Sequence, residues 1–169
     1  YRQGLTANGH NSMRVYNCEF SFTGLRTSIA GTTDGRYLTT SPSAGIDMEG
    51  GSQVDWLFDG CTFENNNEAG LAVHWGSTRT TVRNCKFIND SLFEPQDSVE
   101  ELTGNNNYIN NTFINSYADL LAGGQHFIGN TFYADYFFVG HDTFPPEAYE
   151  KSIIMLKVAD ASDYYSDCI

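Results

Sequence analysis

Asp47 and Glu49 lie two residues apart in the run Gly45-Ile46-Asp47-Met48-Glu49-Gly50, and His74 sits in a second run of the same shape, Gly70-Leu71-Ala72-Val73-His74-Trp75-Gly76. Both are short alternating stretches closed by glycine, the pattern of a half-buried strand ending in a tight turn. Laid over one another in parallel, they pair Ile46 with Leu71 and Met48 with Val73 on the inside. Asp47, Glu49 and His74 then face outward. Glu49 and His74 fall at equivalent places on adjacent strands, about 4.8 Å apart, and Asp47 and Glu49 share one strand face about 6.6 Å apart. Two carboxyls at that separation suit glycoside hydrolysis with inversion, which needs roughly 6.5–9.5 Å between general acid and general base. Crowded like charges favour the protonated form of one partner, as a general acid requires. Solvated strand-edge acids on an acidic chain are the plainer alternative. Ser98-Val99-Glu100-Glu101 is expected to bring further carboxylates to the same place from the next strand.

Around this catalytic set, Trp75, Tyr117 and Tyr133 are placed to stack on sugar rings, although packing under a loop would use the same residues. Asp119 and Arg36 are further candidates for contact with substrate. The insertion Leu25 to Pro42, which holds Asp34 and Arg36, and the loop Asp90 to Gln96 are expected to wall the groove, since loops on a rigid scaffold usually carry recognition. No metal is expected. Calcium is the one cofactor kept open, through the hard oxygens of Asp47, Glu49 and Asp142. Zinc has no Cys-x-x-Cys or His-Glu-x-x-His spacing to hold it.

The elements that must position these residues are set by a repeat. Val15-Tyr16-Asn17-Cys18-Glu19-Phe20, Phe58-Asp59-Gly60-Cys61-Thr62-Phe63, Val82-Arg83-Asn84-Cys85-Lys86-Phe87, Tyr108-Ile109-Asn110-Asn111-Thr112-Phe113 and Phe127-Ile128-Gly129-Asn130-Thr131-Phe132 share one form: apolar, any, Asn/Gly, Cys/Asn, any, Phe. Their phenylalanines are 43, 24, 26 and 19 residues apart, a solenoid period with one long insertion. A leucine-rich repeat lacks its Leu-x-x-Leu-x-Leu ladder here, and a β-sandwich gives no reason for the same motif to return. A right-handed parallel β-helix of about five to six coils, all-β, accounts for both. It predicts one inward Phe column and one inward Cys/Asn column, with the Asn/Gly residues at corners of positive φ. Cys18, Cys61 and Cys85 share a ladder position with Asn111 and Asn130, so they are expected as small buried fillers without disulfides; Cys168 is left over.

These coils, together with Gly45-Ile46-Asp47-Met48-Glu49, resemble the pectate-lyase-like right-handed β-helix superfamily of polysaccharide lyases, glycoside hydrolases and phage tailspikes. The resemblance covers residues 13 to 140. It implies a carbohydrate-active protein, extracellular or on a virion surface, that binds a polysaccharide and hydrolyses it. Two alternatives accompany it: a non-catalytic glycan-binding or structural module, and a calcium-assisted lyase acting on uronates. For elimination, only Arg79, Arg83 and Lys86 lie close in sequence to the candidate face, so hydrolysis of a neutral or mildly charged glycan ranks higher. Tailspike-like relatives imply a homo-oligomer, up to a trimer, unless the partner is the rest of a longer parent chain.

The whole chain is consistent with this organisation. Its 169 residues carry a formal charge of −12, from 21 acidic and 9 basic side chains, and 40% are hydrophobic. That is one folded domain with a sizeable core, and its charge opposes nucleic acid and anionic membranes. No apolar run reaches the roughly 20 residues of a membrane span. The start at Tyr1 suggests a processed or excised piece of a longer protein. Residues 1–142 are read as the β-helix and 143–169, with Pro145-Pro146 and the strand-like Ile153 to Val158, as a cap or a linker to a further module.

Overall fold

A computed structural model describes residues 4–23, 44–48, 53–66, 69–73, 77–94, 105–114, 116–120, 126–133, 136–139, 153–156 and 164–166. The chain winds through three parallel sheets, one strand to each sheet per coil. The first contains β1 (Leu5–Ala7), β4 (Ile46–Met48), β7 (Leu71–Val73), β10 (Ser91–Glu94) and β13 (Tyr117–Leu120). The second contains β2 (Arg14–Tyr16), β5 (Leu57–Asp59), β8 (Thr81–Arg83), β11 (Asn107–Ile109), β14 (His126–Ile128) and β18 (Tyr164–Ser166). The third contains β3 (Glu19–Ser21), β6 (Thr62–Glu64), β9 (Lys86–Ile88), β12 (Thr112–Ile114) and β15 (Thr131–Tyr133). A further parallel pair joins β16 (Tyr136–Val139) to β17 (Ile153–Leu156). The fold is the all-β right-handed parallel β-helix expected from the repeat.

The corner between the second and third sheets shows why the repeat carries Asn or Gly. Asn17, Gly60, Asn84, Asn110 and Gly129 each bend the chain in the left-handed region, with φ of 51°, 69°, 54°, 54° and 64°. Asn tolerates that region better than most side chains, and Gly enters it freely. Two of the glycines have a second reason. A Cβ at Gly60 would run into Asn17 Oδ1, and one at Gly129 would run into Asn110 Oδ1, so at these two corners the Asn of the preceding coil selects Gly.

Inside, the Phe column is in register across all five coils: Phe20 pairs with Phe63, Phe63 with Phe87, Phe87 with Phe113 and Phe113 with Phe132. Successive rings stack nearly parallel at 5.6, 4.8, 4.8 and 4.9 Å between centroids, close to the strand spacing that sets them. Phe63, Phe87 and Phe113 are fully buried. Beside them runs the Cys/Asn column. Asn111 Oδ1 accepts from Cys85 N at 2.9 Å, and Asn130 Oδ1 accepts from Asn111 N at 2.9 Å and from Asn111 Nδ2 at 3.0 Å. The three ladder thiols are free. Cys61 and Cys85 are buried, and Cys18 on the first coil is exposed. A hydrogen bond with Cys61, then burial, push the Cys85 thiol up from its ordinary value.

A third polar column lines the corner from the third sheet to the first. Thr23 Oγ1 donates to Asn66 Oδ1 at 2.6 Å, Asn66 N to Asp90 Oδ2 at 3.2 Å and Asp90 N to Ser116 Oγ at 2.8 Å, all of them buried. Tight turns enclosed by coils above and below need such side chains, because their peptide groups have no water to bond.

Two expectations are corrected by this topology. The strand that follows β7 in the first sheet is β10, with Leu92 opposite Leu71 and Phe93 opposite Ala72, so that place is not taken by Ser98 to Glu101. The same strand occupies most of the stretch Asp90 to Gln96 that was expected to be a loop. Within residues 143–169, β17 and β18 add parallel strands to β16 and β14. Cys168 and residues 140–152 lie outside the described residues.

Candidate functional site

The expected catalytic strand has the expected pairing. Ile46 sits opposite Leu71 and Met48 opposite Val73, and all four are fully buried. Asp47 lies between them, opposite Ala72, and here the structure departs from the outward solvent-facing position predicted for it. Asp47 is 1% exposed and Ala72 3% exposed. Alternation along a strand determines which face a residue takes, but it does not say whether that face is covered. On β4 and β7 both faces are covered, whereas Thr6 at the same position on β1 is exposed.

The register also places Asp119. Thr6, Asp47, Ala72, Phe93 and Asp119 occupy one position on five successive strands. Asp47 and Asp119 are therefore three strand spacings apart, about 14 Å, too far to act as a carboxylate pair. Tyr117 stands opposite Ser91 on β10. Glu49, His74, Trp75 and Arg36 lie outside the described residues. Of the three residues considered for calcium, Asp47 alone is described. Tyr133, on the outer face of β15, is 60% exposed.

The arginines considered for elimination chemistry are on a different wall. Arg83 ends β8 in the second sheet, and Arg79 stands at the corner leading into that strand. Arg79 donates from Nε to Asp55 Oδ1 at 2.7 Å and from Nη2 to Asp55 Oδ2 at 3.0 Å. Arg83 donates from Nε and Nη2 to Asp59 Oδ2 at 2.9 and 2.7 Å, while Asn84 Nδ2 donates to Asp59 Oδ1 at 2.9 Å. Both ion pairs bridge one coil to the next over 24 residues, the Phe63-to-Phe87 interval. The Arg79 hydrogen bonds hold the Asp55 carboxyl below its ordinary range, and those from Arg83 and Asn84 do the same for Asp59.

Between these bridges lies an open groove of about 280 Å³. Leu57 and Thr81, adjacent in register on β5 and β8, lie between its walls, and Trp56 adds to the lining. Arg14 closes one end, opposite Leu57 on β2. Its Nη1 donates to the carbonyl of Met13 at 2.9 Å and to that of Asp55. Tyr16, two residues further along β2, is 53% exposed. Sequence reasoning missed this groove. The signal that finds it is the repeat interval applied to charge: Asp55 plus 24 is Arg79, and Asp59 plus 24 is Arg83.

Exposed guanidinium and carboxylate groups with fixed orientation, flanking a small apolar floor, can hydrogen-bond a polyol while its carbon skeleton rests on Leu57. No curated protein and no solved structure matches the chain. A family model described as right handed beta helix region matches residues 1–133, and with the three stacked parallel sheets this shows that the chain belongs to the right-handed β-helix family.

Proposed function

We propose that the chain is a polysaccharide-binding β-helix that holds an extended glycan along its flank, as tailspike-like and other pectate-lyase-like proteins do at an extracellular or virion surface. The observation that carries this reading is the groove on the second sheet. Its walls are ion pairs between side chains 21–59% exposed, positions where such pairs add little stability but present oriented donors and acceptors to solvent. Its volume of about 280 Å³ sits at the small end of ligand sites, so it grips a short stretch of a polymer whose remainder follows the wall. Titration calorimetry against a panel of bacterial surface polysaccharides tests the reading. Saturable binding to at least one polymer is expected, and no binding to any member would overturn it.

A hydrolytic second reading rests on the first-sheet register. The pairs Ile46–Leu71 and Met48–Val73 are followed directly in sequence by Glu49 and His74. In this reading Glu49 and Asp47 are the two carboxyls and His74 orients Glu49. Trp75, Tyr117, Asp119 and Arg36 contact the sugar. Glu49→Gln keeps the shape of the side chain and removes its ionisable proton, so release of reducing ends from a bound polymer should fall by orders of magnitude with binding retained. Full cleavage by both Glu49→Gln and Asp47→Asn would place the chemistry elsewhere. Binding without cleavage by the unaltered protein would leave the binding function alone.

A further inference from the structure

The second-sheet groove differs in charge from the rest of the chain. Only 9 of the 169 residues are basic, against 21 acidic, yet three of the nine, Arg14, Arg79 and Arg83, line this one groove. Asp55 is the one carboxylate in the lining, and Asp59, beside it, is bound to Arg83, so the three guanidinium groups exceed these carboxylates by one positive charge. The excess belongs to Arg14. Its hydrogen bonds go to backbone carbonyls; its charge acts on Asp55, but among the described residues no carboxylate hydrogen-bonds to it.

All three arginines that line the groove keep donors outside these bonds. Arg79 and Arg83 bind their aspartates through Nε and Nη2, which leaves Nη1 of each outside the ion pair. Arg14 uses Nη1, which leaves Nε and Nη2, the edge of a guanidinium that matches a carboxylate in bidentate geometry. Leu57 and Thr81 lie on the two coils beyond Arg14, so a sugar ring over them has its substituents within reach of arginines on both sides.

Resting on the polysaccharide reading above, we propose that this groove is a subsite for a single carboxylate-bearing sugar residue, with Arg14 taking the carboxylate. The groove's surroundings define the polymer further. A dense polyanion would bring one compensated charge into the groove and several uncompensated ones against a chain of net charge −12. The ligand is therefore a heteropolysaccharide in which an acidic residue alternates with several neutral ones.

Three polymers test this by calorimetry: a heteropolysaccharide with one glucuronic acid per repeat of neutral sugars, the same polymer after reduction of its carboxyls to alcohols, and polygalacturonate. The first is expected to bind most tightly. Carboxyl reduction should weaken it at least tenfold, and polygalacturonate should bind more weakly than the first. Arg14→Gln should lose the same factor on the acidic polymer with no change on the reduced one, and Arg14→Lys should recover part of it. Equal affinity for acidic and reduced polymers, or an equal loss on both in Arg14→Gln, would overturn the carboxylate subsite and leave polysaccharide binding standing. Tighter binding of polygalacturonate would overturn the sparse-charge specificity. Absence of binding to these three and to the wider panel would overturn the polysaccharide reading itself.

Discussion

The first and second sheets are both built from short parallel strands of three or four residues, and they treat their middle coils in opposite ways. On β4 and β7 every residue is buried, Asp47 and Ala72 included. On β8 the inward Val82 is fully buried while Thr81 is partly exposed and Arg83 is 47% exposed at its side chain. At these coils the fold therefore supplies one wall closed on both faces and one wall with an open face. A polar group on the first is held by the protein, whereas a polar group on the second is offered to solvent, where a soluble ligand can find it.

Interior substitutions should break that contrast most strongly. Phe87 is stacked between two rings and is fully buried, so Phe87→Ala should cost about 3–5 kcal/mol, measured by urea unfolding. Thr81→Ala, on the open face one strand away, should change stability by less than about 0.5 kcal/mol. Similar losses at the two positions would remove the distinction between the packed interior and the open face of the second sheet.

The polar ladder tests the interior more finely. Asn111 accepts from Cys85 N and donates from Nδ2 to Val82 O at 3.0 Å, and both partners are buried. Asn111→Ala strands these groups and should cost about 1–3 kcal/mol for each one left unsatisfied. Asn111→Cys restores the residue that other coils carry at this position and should cost less. The same column predicts a difference in reactivity. Cys18, exposed, should be alkylated in the native protein, and the buried Cys61 and Cys85 only after denaturation, as peptide mass mapping would show.

The smallest effect is expected from pH on the open wall. Asp55 and Asp59 have carboxyls depressed below the ordinary value of 3.8, so whatever stability their pairs contribute is complete above that value. It is lost only as the pH falls through the lowered values. The difference in urea midpoint between the wild type and the Asp55→Asn/Asp59→Asn double variant should thus stay constant from about pH 7 to about pH 5 and shrink only in stronger acid. A difference that already closes near pH 6 would show that these carboxyls are not held by Arg79 and Arg83.

Most of the scaffold was legible because a solenoid states each rule several times. Phe20, Phe63, Phe87, Phe113 and Phe132 could be aligned without knowing any distance, and the Asn/Gly corners followed from the same alignment. β10 was misread because the polar cluster Asn89-Asp90-Ser91 carries loop chemistry, whereas in the structure Asp90 serves the buried corner column and Ser91 begins the strand. Asp47 was placed at the right register and given the wrong environment, since periodicity in a strand carries no information about what lies over it. The groove escaped because its members are dispersed over Arg14, Asp55 to Asp59 and Arg79 to Arg83, and they come together only when charges are counted at the coil interval.

That interval has a mechanical meaning. The hydrogen bonds of all three walls run along the helix axis, and so do the ring stacks and the Asn amides. A flank built this way resists bending. A pull on one terminus loads only the outermost coil, since each coil is bonded to its immediate neighbours. The coil then peels away and releases roughly 80 Å of chain for a 24-residue unit while the next remains zipped. The Asp55–Arg79 and Asp59–Arg83 bridges clasp two neighbouring coils on the face that would carry the load, like stitches across a single seam.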